Sequence, residues 1–74
     1  MPYTEREKQF LQRVGGNMRR LRQEQRLSQE KLARKAKVGR SYLASIERGE
    51  KNVAALNFIK IAEALGVKVV VLLK

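Results

Sequence analysis

From Glu5 onward the apolar residues Phe10, Val14, Met18 and Leu21 recur at i, i+4, i+8 and i+11, with Leu11 beside them. That spacing predicts one long amphipathic helix running to about Gln25. Met1 to Thr4 reads as a loose end ahead of it: Pro2 does not sit inside a helix, and Thr4 is a fair N-cap. Gly15-Gly16 falls within the pattern, and each glycine costs about 1 kcal/mol against alanine in a helix interior. The apolar register nevertheless continues across the pair. The expectation is a continuous helix in which glycine permits close approach of a neighbour.

Two shorter patterns follow. Ser28 is a good N-cap, Gln29-Glu30-Lys31 make a polar first turn, and Leu32, Ala33 and Ala36 form a narrow apolar stripe. After a break at Lys37-Val38-Gly39, Leu43 and Ile46 fall on one side of a second pattern. Arg40, Ser41, Ala44, Ser45 and Arg48 fall on the other, and Gly49 stands at a plausible stop. Helices at roughly 28–36 and 40–48, sharing a small core and leaving an Arg/Ser face outward, form a helix-turn-helix. Its second helix is shaped to enter a DNA major groove.

Beyond the polar loop Gly49-Glu50-Lys51-Asn52, residues Ala54 to Leu65 read as a fourth helix ended by Gly66. Its stripe is Leu56, Ile59, Ala62 and Leu65, flanked by Phe58 and Ile61, and Asn52 is the nearest side chain that could cap it. The tail Val67 to Lys74 has strand propensity, because β-branched residues dominate it. No second strand-like run exists for it to pair with. It is either a short buried helix or turn closing the core, or a segment that meets its own copy in a dimer. Without repeats or linkers, residues 1–74 read as one all-α domain, with 28–48 the helix-turn-helix and 54–74 a dimerisation region.

Charge ties this layout to a partner. The chain of 74 residues carries 17 Lys and Arg against 7 Asp and Glu, a formal net charge of +10. A phosphate backbone rewards such a surface through counterion release. The basic residues concentrate in residues 1–52; beyond them stand only Lys60, Lys68 and Lys74, against Glu63. The charge stops where the helix-turn-helix stops, so the C-terminal third has another role.

Enzyme chemistry is disfavoured. With no cysteine and no histidine, the commonest nucleophile, general base and metal ligands are missing. Gly15-Gly16 lacks the preceding strand that a phosphate-binding loop requires. Neither a cofactor nor a small-molecule ligand is expected. No run matches a membrane span or a secretory signal, so the expected setting is a reducing cytoplasm.

Read as a DNA-binding surface, the residues take separate roles. Arg40 and Ser41 occupy the first turn of the second short helix and Ser45 lies one turn later. Arginine can pair bidentately with guanine, whereas serine discriminates less, so Arg40 is the prime candidate for base readout. Tyr42 is either a base or phosphate contact or a packing residue. Gln29, at a helix start, suits a phosphate oxygen. Arg48, Lys51 and Asn52 are further backbone candidates, as are Lys35 and Lys37 near the turn. Glu47 is expected to be structural, holding an arginine or capping backbone amides, since a carboxylate repels phosphate.

Residues 17–66 resemble the Cro/repressor-type, or Xre, helix-turn-helix family. The resemblance is carried by Leu27-Ser28-Gln29-Glu30-Lys31-Leu32-Ala33, Tyr42-Leu43-Ala44-Ser45-Ile46-Glu47-Arg48-Gly49 and Ile59-Lys60-Ile61-Ala62-Glu63-Ala64-Leu65-Gly66-Val67. Within the family, Arg40-Ser41-Tyr42-Leu43, Ile46 to Val53 and Asn57 to Ala62 are similar to the controller proteins of restriction–modification systems. The resemblance implies a compact five-helix, lambda-repressor-like domain and a homodimer joined through its C-terminal helices on a short palindromic operator. It implies base contacts at Arg40, Ser41, Ser45 and Tyr42, and backbone contacts at Gln29, Arg48 and the 51–52 loop. Controllers activate and then repress their own gene and that of the endonuclease, which makes RNA polymerase a further expected partner. For the dimer interface the expected residues are Leu56, Phe58, Val69, Val70, Val71 and Leu72.

Three positions depart from the family pattern. Lys37 stands where the turn often has glycine. Gly39 replaces a Ser, Thr or Asp cap. Val70 and Val71 occupy usually polar places in the last helix. The alternatives to a controller are an antitoxin-like or phage-type repressor with the same domain and, from another class, a protein–protein adaptor that no longer reads DNA.

Overall fold

The computed structural model describes residues 2–74, so Met1 lies outside the described residues. Five helices follow one another: α1 Glu5–Glu24, α2 Gln29–Ala36, α3 Arg40–Glu47, α4 Ala55–Leu65 and α5 Val69–Leu73. α1 packs on α3 and α5, α2 packs on α3 and α4, and α4 packs on α5. The all-α reading holds. Val14 and Met18 of α1, Leu32 of α2, Leu43 and Ile46 of α3, Ile61 and Leu65 of α4 and Leu72 of α5 meet in one core.

α1 begins in a capping box: the Thr4 hydroxyl accepts from the Glu7 amide while the Glu7 carboxylate accepts from the Thr4 amide. The helix runs unbroken through Gly15 and Gly16. A Cβ on Gly15 would collide with the carbonyl oxygen of Ile46, so α1 crosses the end of α3 at a distance only glycine permits. Gly16 faces open space. Phe10, by contrast, stays exposed although it belongs to the predicted stripe.

The helix ends share one device. The amides of Leu27, Val38 and Val67 each reach back five residues, to the carbonyls of Arg22, Ala33 and Ala62. Each of these three side chains packs against the core. These are Schellman closures, in which a left-handed residue precedes an apolar anchor. Gly66 fills that left-handed place after α4, but Lys37 (φ 58°) and Arg26 (φ 57°) fill it after α2 and α1. Lys37 therefore takes the strained turn without glycine.

The C-terminal pair corrects three sequence expectations. Ile61, Ala62, Ala64 and Leu65 are the buried residues of α4, whereas Leu56 and Ile59, read on one stripe with Ala62 and Leu65, are 67% and 46% exposed. α4 starts without a side-chain cap, so Asn52 does not cap it. The valine-rich tail is a short helix, and Leu72 is wholly buried. A core residue cannot also meet a partner, so Leu72 leaves the expected interface set. Phe58, Val69 and Val71 are half-buried against the core, and Val70 is 55% exposed.

Candidate nucleic-acid interface

α3 carries its apolar Leu43 and Ile46 into the core and leaves Arg40 and Ser41 exposed at its start. Gly39 provides the extended entry residue but no side-chain cap, so the first amides of α3 keep their donors free. Ala44 is half-buried and Arg48 exposed, one and two turns further along the face begun by Arg40. Ser45 sits deeper than Arg40 and Ser41. It is 9% exposed, and its hydroxyl donates to the Tyr42 carbonyl at 2.8 Å. At 100° per residue, position 45 lies about 40° from Ser41, one turn further along and nearer the packed side than Arg40. The Ser45 donor is used within the helix, and its oxygen keeps its acceptor lone pairs.

Tyr42 is half-buried and held from two sides. Its hydroxyl accepts from Asn57 Nδ2 at 3.1 Å, and Lys51 Nζ stands 5.9 Å from its ring centroid. The packing role is thus observed, with the ring fixed between α3, the following loop and α4. Asn57 was not singled out in the sequence, because an amide on an otherwise apolar helix announces no partner.

A buried charged network joins α1, α2 and α3. Arg22 makes a two-pronged pair with Glu47, Nε to Oε2 at 2.8 Å and Nη2 to Oε1 at 3.1 Å, and Nη1 donates to the Leu27 carbonyl at 2.8 Å. The Glu47 side chain is 2% exposed and that of Arg22 11%. Gln29 Nε2 donates to the same Glu47 Oε1 at 3.0 Å. Glu47 is thus structural, as expected, and Arg22 is the arginine it holds. Arg22 has a signal in hindsight. It lies four residues beyond Met18, on the buried side of α1, and a charge at a core position needs a partner. Gln29 keeps a second N–H on the same nitrogen. It stands at the start of α2, which Ser28 caps by accepting from the Lys31 amide.

The other expected backbone residues divide. Arg48 pairs with Glu50 at 3.0 Å on the surface, and the hydrogen bond from Arg48 holds the Glu50 carboxyl below the usual carboxylate range. Lys51 is exposed beside Tyr42, and Asn52 borders a small cleft with Tyr3, Glu7, Phe10 and Leu11. Lys35 and Lys37 are not gathered with Gln29. They line a depression of about 330 Å³ with Lys60 and Glu63, where the end of α2 meets α4. Arg40, Ser41 and Arg48 are exposed along α3 and its C-cap, and Gln29 is half-buried at the start of α2. Among the described residues, no group of three or more acidic side chains could hold a metal ion, and no helix is long and apolar enough to cross a membrane.

Comparison with known proteins gives this architecture a family. The helix-turn-helix family model matches residues 18–72. The control protein C.MunI of Mycoplasma sp is 41% identical over 56 residues, which are 74% of this chain and 76% of that protein. The crystal structure of the restriction-modification controller protein C.AhdI from Aeromonas hydrophila superposes with a TM-score of 0.82 at 40% identity, covering 84% of this chain and 94% of that one. A hypothetical transcription factor from Neisseria, NHTF, superposes with a TM-score of 0.85 at 38% identity, covering 92% and 78%. The chain belongs to the helix-turn-helix family of transcriptional regulators and is homologous to the control proteins of restriction–modification systems.

Proposed function

We propose that this chain is a single-domain, sequence-specific regulator of the restriction–modification controller kind, binding a palindromic operator as a homodimer. The observation that carries the reading is the outward start of α3, where Arg40 and Ser41 are exposed beside uncapped amides. In this reading Arg40 reads guanine bidentately and Ser41 adds a less selective contact. Gln29 and Arg48 hold phosphate oxygens on either side, with Lys51 and Asn52 continuing that track. Ser45 and Tyr42 shape the helix face. Lys35 and Lys37 add long-range attraction rather than contact.

The second copy is suggested by Leu56, Ile59, Val70 and Leu73, all exposed on the C-terminal helices. Such apolar side chains gathered on α4 and α5 of a small domain suit a partner surface. Two copies joined there would present two α3 helices to half-sites about one DNA turn, roughly 34 Å, apart. A controller so placed acts at the nucleoid beside RNA polymerase on its own promoter. Selection of bound sites from a random duplex pool tests the whole reading. A palindrome with guanine at matching positions of its two halves is expected. Recovery of no sequence, or of a single unpaired half-site, overturns it.

A further inference from the structure

α1 touches both the reading helix and the C-terminal pair. Toward α3 it offers Gly15, set against the Ile46 carbonyl, and Arg22, locked to Glu47. Toward α5 it offers the Asn17 carboxamide, and its C-cap residue Gln25 offers a second one to α4. Asn17 Nδ2 donates to the Leu72 carbonyl of α5 at 2.9 Å, and Gln25 Nε2 donates to the Leu65 carbonyl of α4 at 2.6 Å. Both acceptors lie in the last turn of a helix, where carbonyls have no partner within the helix. A carbonyl only accepts, so each amide nitrogen is fixed as the donor. Arg20 donates to the Asn17 oxygen at 3.2 Å and holds that amide the same way round.

These two bonds end on the two helices that bear Leu56, Ile59, Val70 and Leu73. α5 has five residues, too few to persist as a helix without tertiary contacts. A unit held at one point can rock about it, whereas one held at the end of each helix keeps its angle. Asn17 stands one residue ahead of the region the family model matches.

We infer that Asn17 and Gln25 are positioning residues that fix the angle between α3 and the apolar face of α4 and α5, and so set the half-site spacing the dimer accepts. The inference rests on the dimer reading above. Neither residue needs to touch DNA or the second copy. Each acts by holding a backbone carbonyl whose helix carries the joining surface.

Asn17→Asp and Gln25→Glu keep side-chain shape and remove the donor. Binding is measured on the selected operator, on operators with one base pair added to or removed from the spacer, and on an isolated half-site. The wild-type protein should prefer its own spacing by about tenfold or more, because mismatched geometry forbids both copies engaging at once. Each variant should reduce that preference about threefold or more, with half-site affinity and dimer sedimentation unchanged. Thr4→Ala strips the α1 cap and lowers stability without touching either amide, and should leave the preference intact. Asn17→Ala replaces Asn17→Asp if the latter does not fold. Variants with wild-type spacing preference overturn the inference, and so does Thr4→Ala shifting it equally. A wild-type protein that is monomeric on its operator, or indifferent to spacing, removes the dimer reading and this inference with it.

Discussion

Glu47 serves two elements at once: its carboxylate binds the Arg22 guanidinium of α1 and the Gln29 amide at the start of α2. Removing one partner of a buried pair leaves the other charge without compensation, which costs about 3–5 kcal/mol. Glu47→Ala should lower the urea midpoint accordingly and also free Gln29 from its orientation. Replacing Arg22 and Glu47 together by Met and Leu should recover much of the stability but not the Gln29 geometry, so DNA affinity should stay low in the double variant. Arg40 contributes differently, since it is exposed and makes no ion pair among the described residues. Arg40→Ala should leave unfolding unchanged while costing about 1–3 kcal/mol on the selected operator and relaxing one base position. An equal loss on random duplex would contradict base readout.

At the scale of elements, the two adjacent glycines of α1 separate propensity from packing. Gly16 faces open space, so Gly16→Ala should stabilise the protein by up to about 1 kcal/mol through helix propensity alone. Gly15→Ala should do the reverse, because its Cβ would press on the backbone of Ile46 and Glu47, which no rotamer can relieve. Thermal unfolding of the pair checks both signs. Amphipathic spacing made α1, α2 and α3 legible from their residues, since each has a clear polar side. α4 was harder: Leu56, Phe58, Ile59, Ile61, Ala62, Ala64 and Leu65 wrap most of its circumference. With apolar residues almost all round, periodicity finds the helix but not the side that packs. The tail shows local propensity yielding to tertiary contact, as Leu72 enters the core and Asn17 holds its carbonyl. Ser45 shows what spacing leaves out: position 45 follows Ser41 by one turn, but its depth and its bond to the Tyr42 carbonyl depend on the packed structure.

Across the whole molecule, charge and apolar exposure are segregated. Basic residues crowd the first 52 positions, while the exposed Leu56, Ile59, Val70 and Leu73 belong to the remainder. A strongly basic stretch is thus followed by one carrying only three lysines and one glutamate, so charge repulsion opposes association least in the proposed joining region. Val70→Asp and Leu56→Asp change side chains that are 55% and 67% exposed, so neither variant should unfold the monomer. Both should sediment as monomers and lose the concentration dependence of their unfolding midpoint, since association stabilises only the folded copies. Their affinity for an isolated half-site should match the wild type, and affinity for the full operator should fall about 100-fold or more as the second half-site becomes a separate binding event. The logarithm of full-operator affinity should also fall less steeply with the logarithm of salt concentration, because fewer phosphates are neutralised per bound particle. Were the salt slope unchanged in a proven monomer, all phosphate contacts would belong to one copy, and the two-helix reading of the palindrome would have to be abandoned.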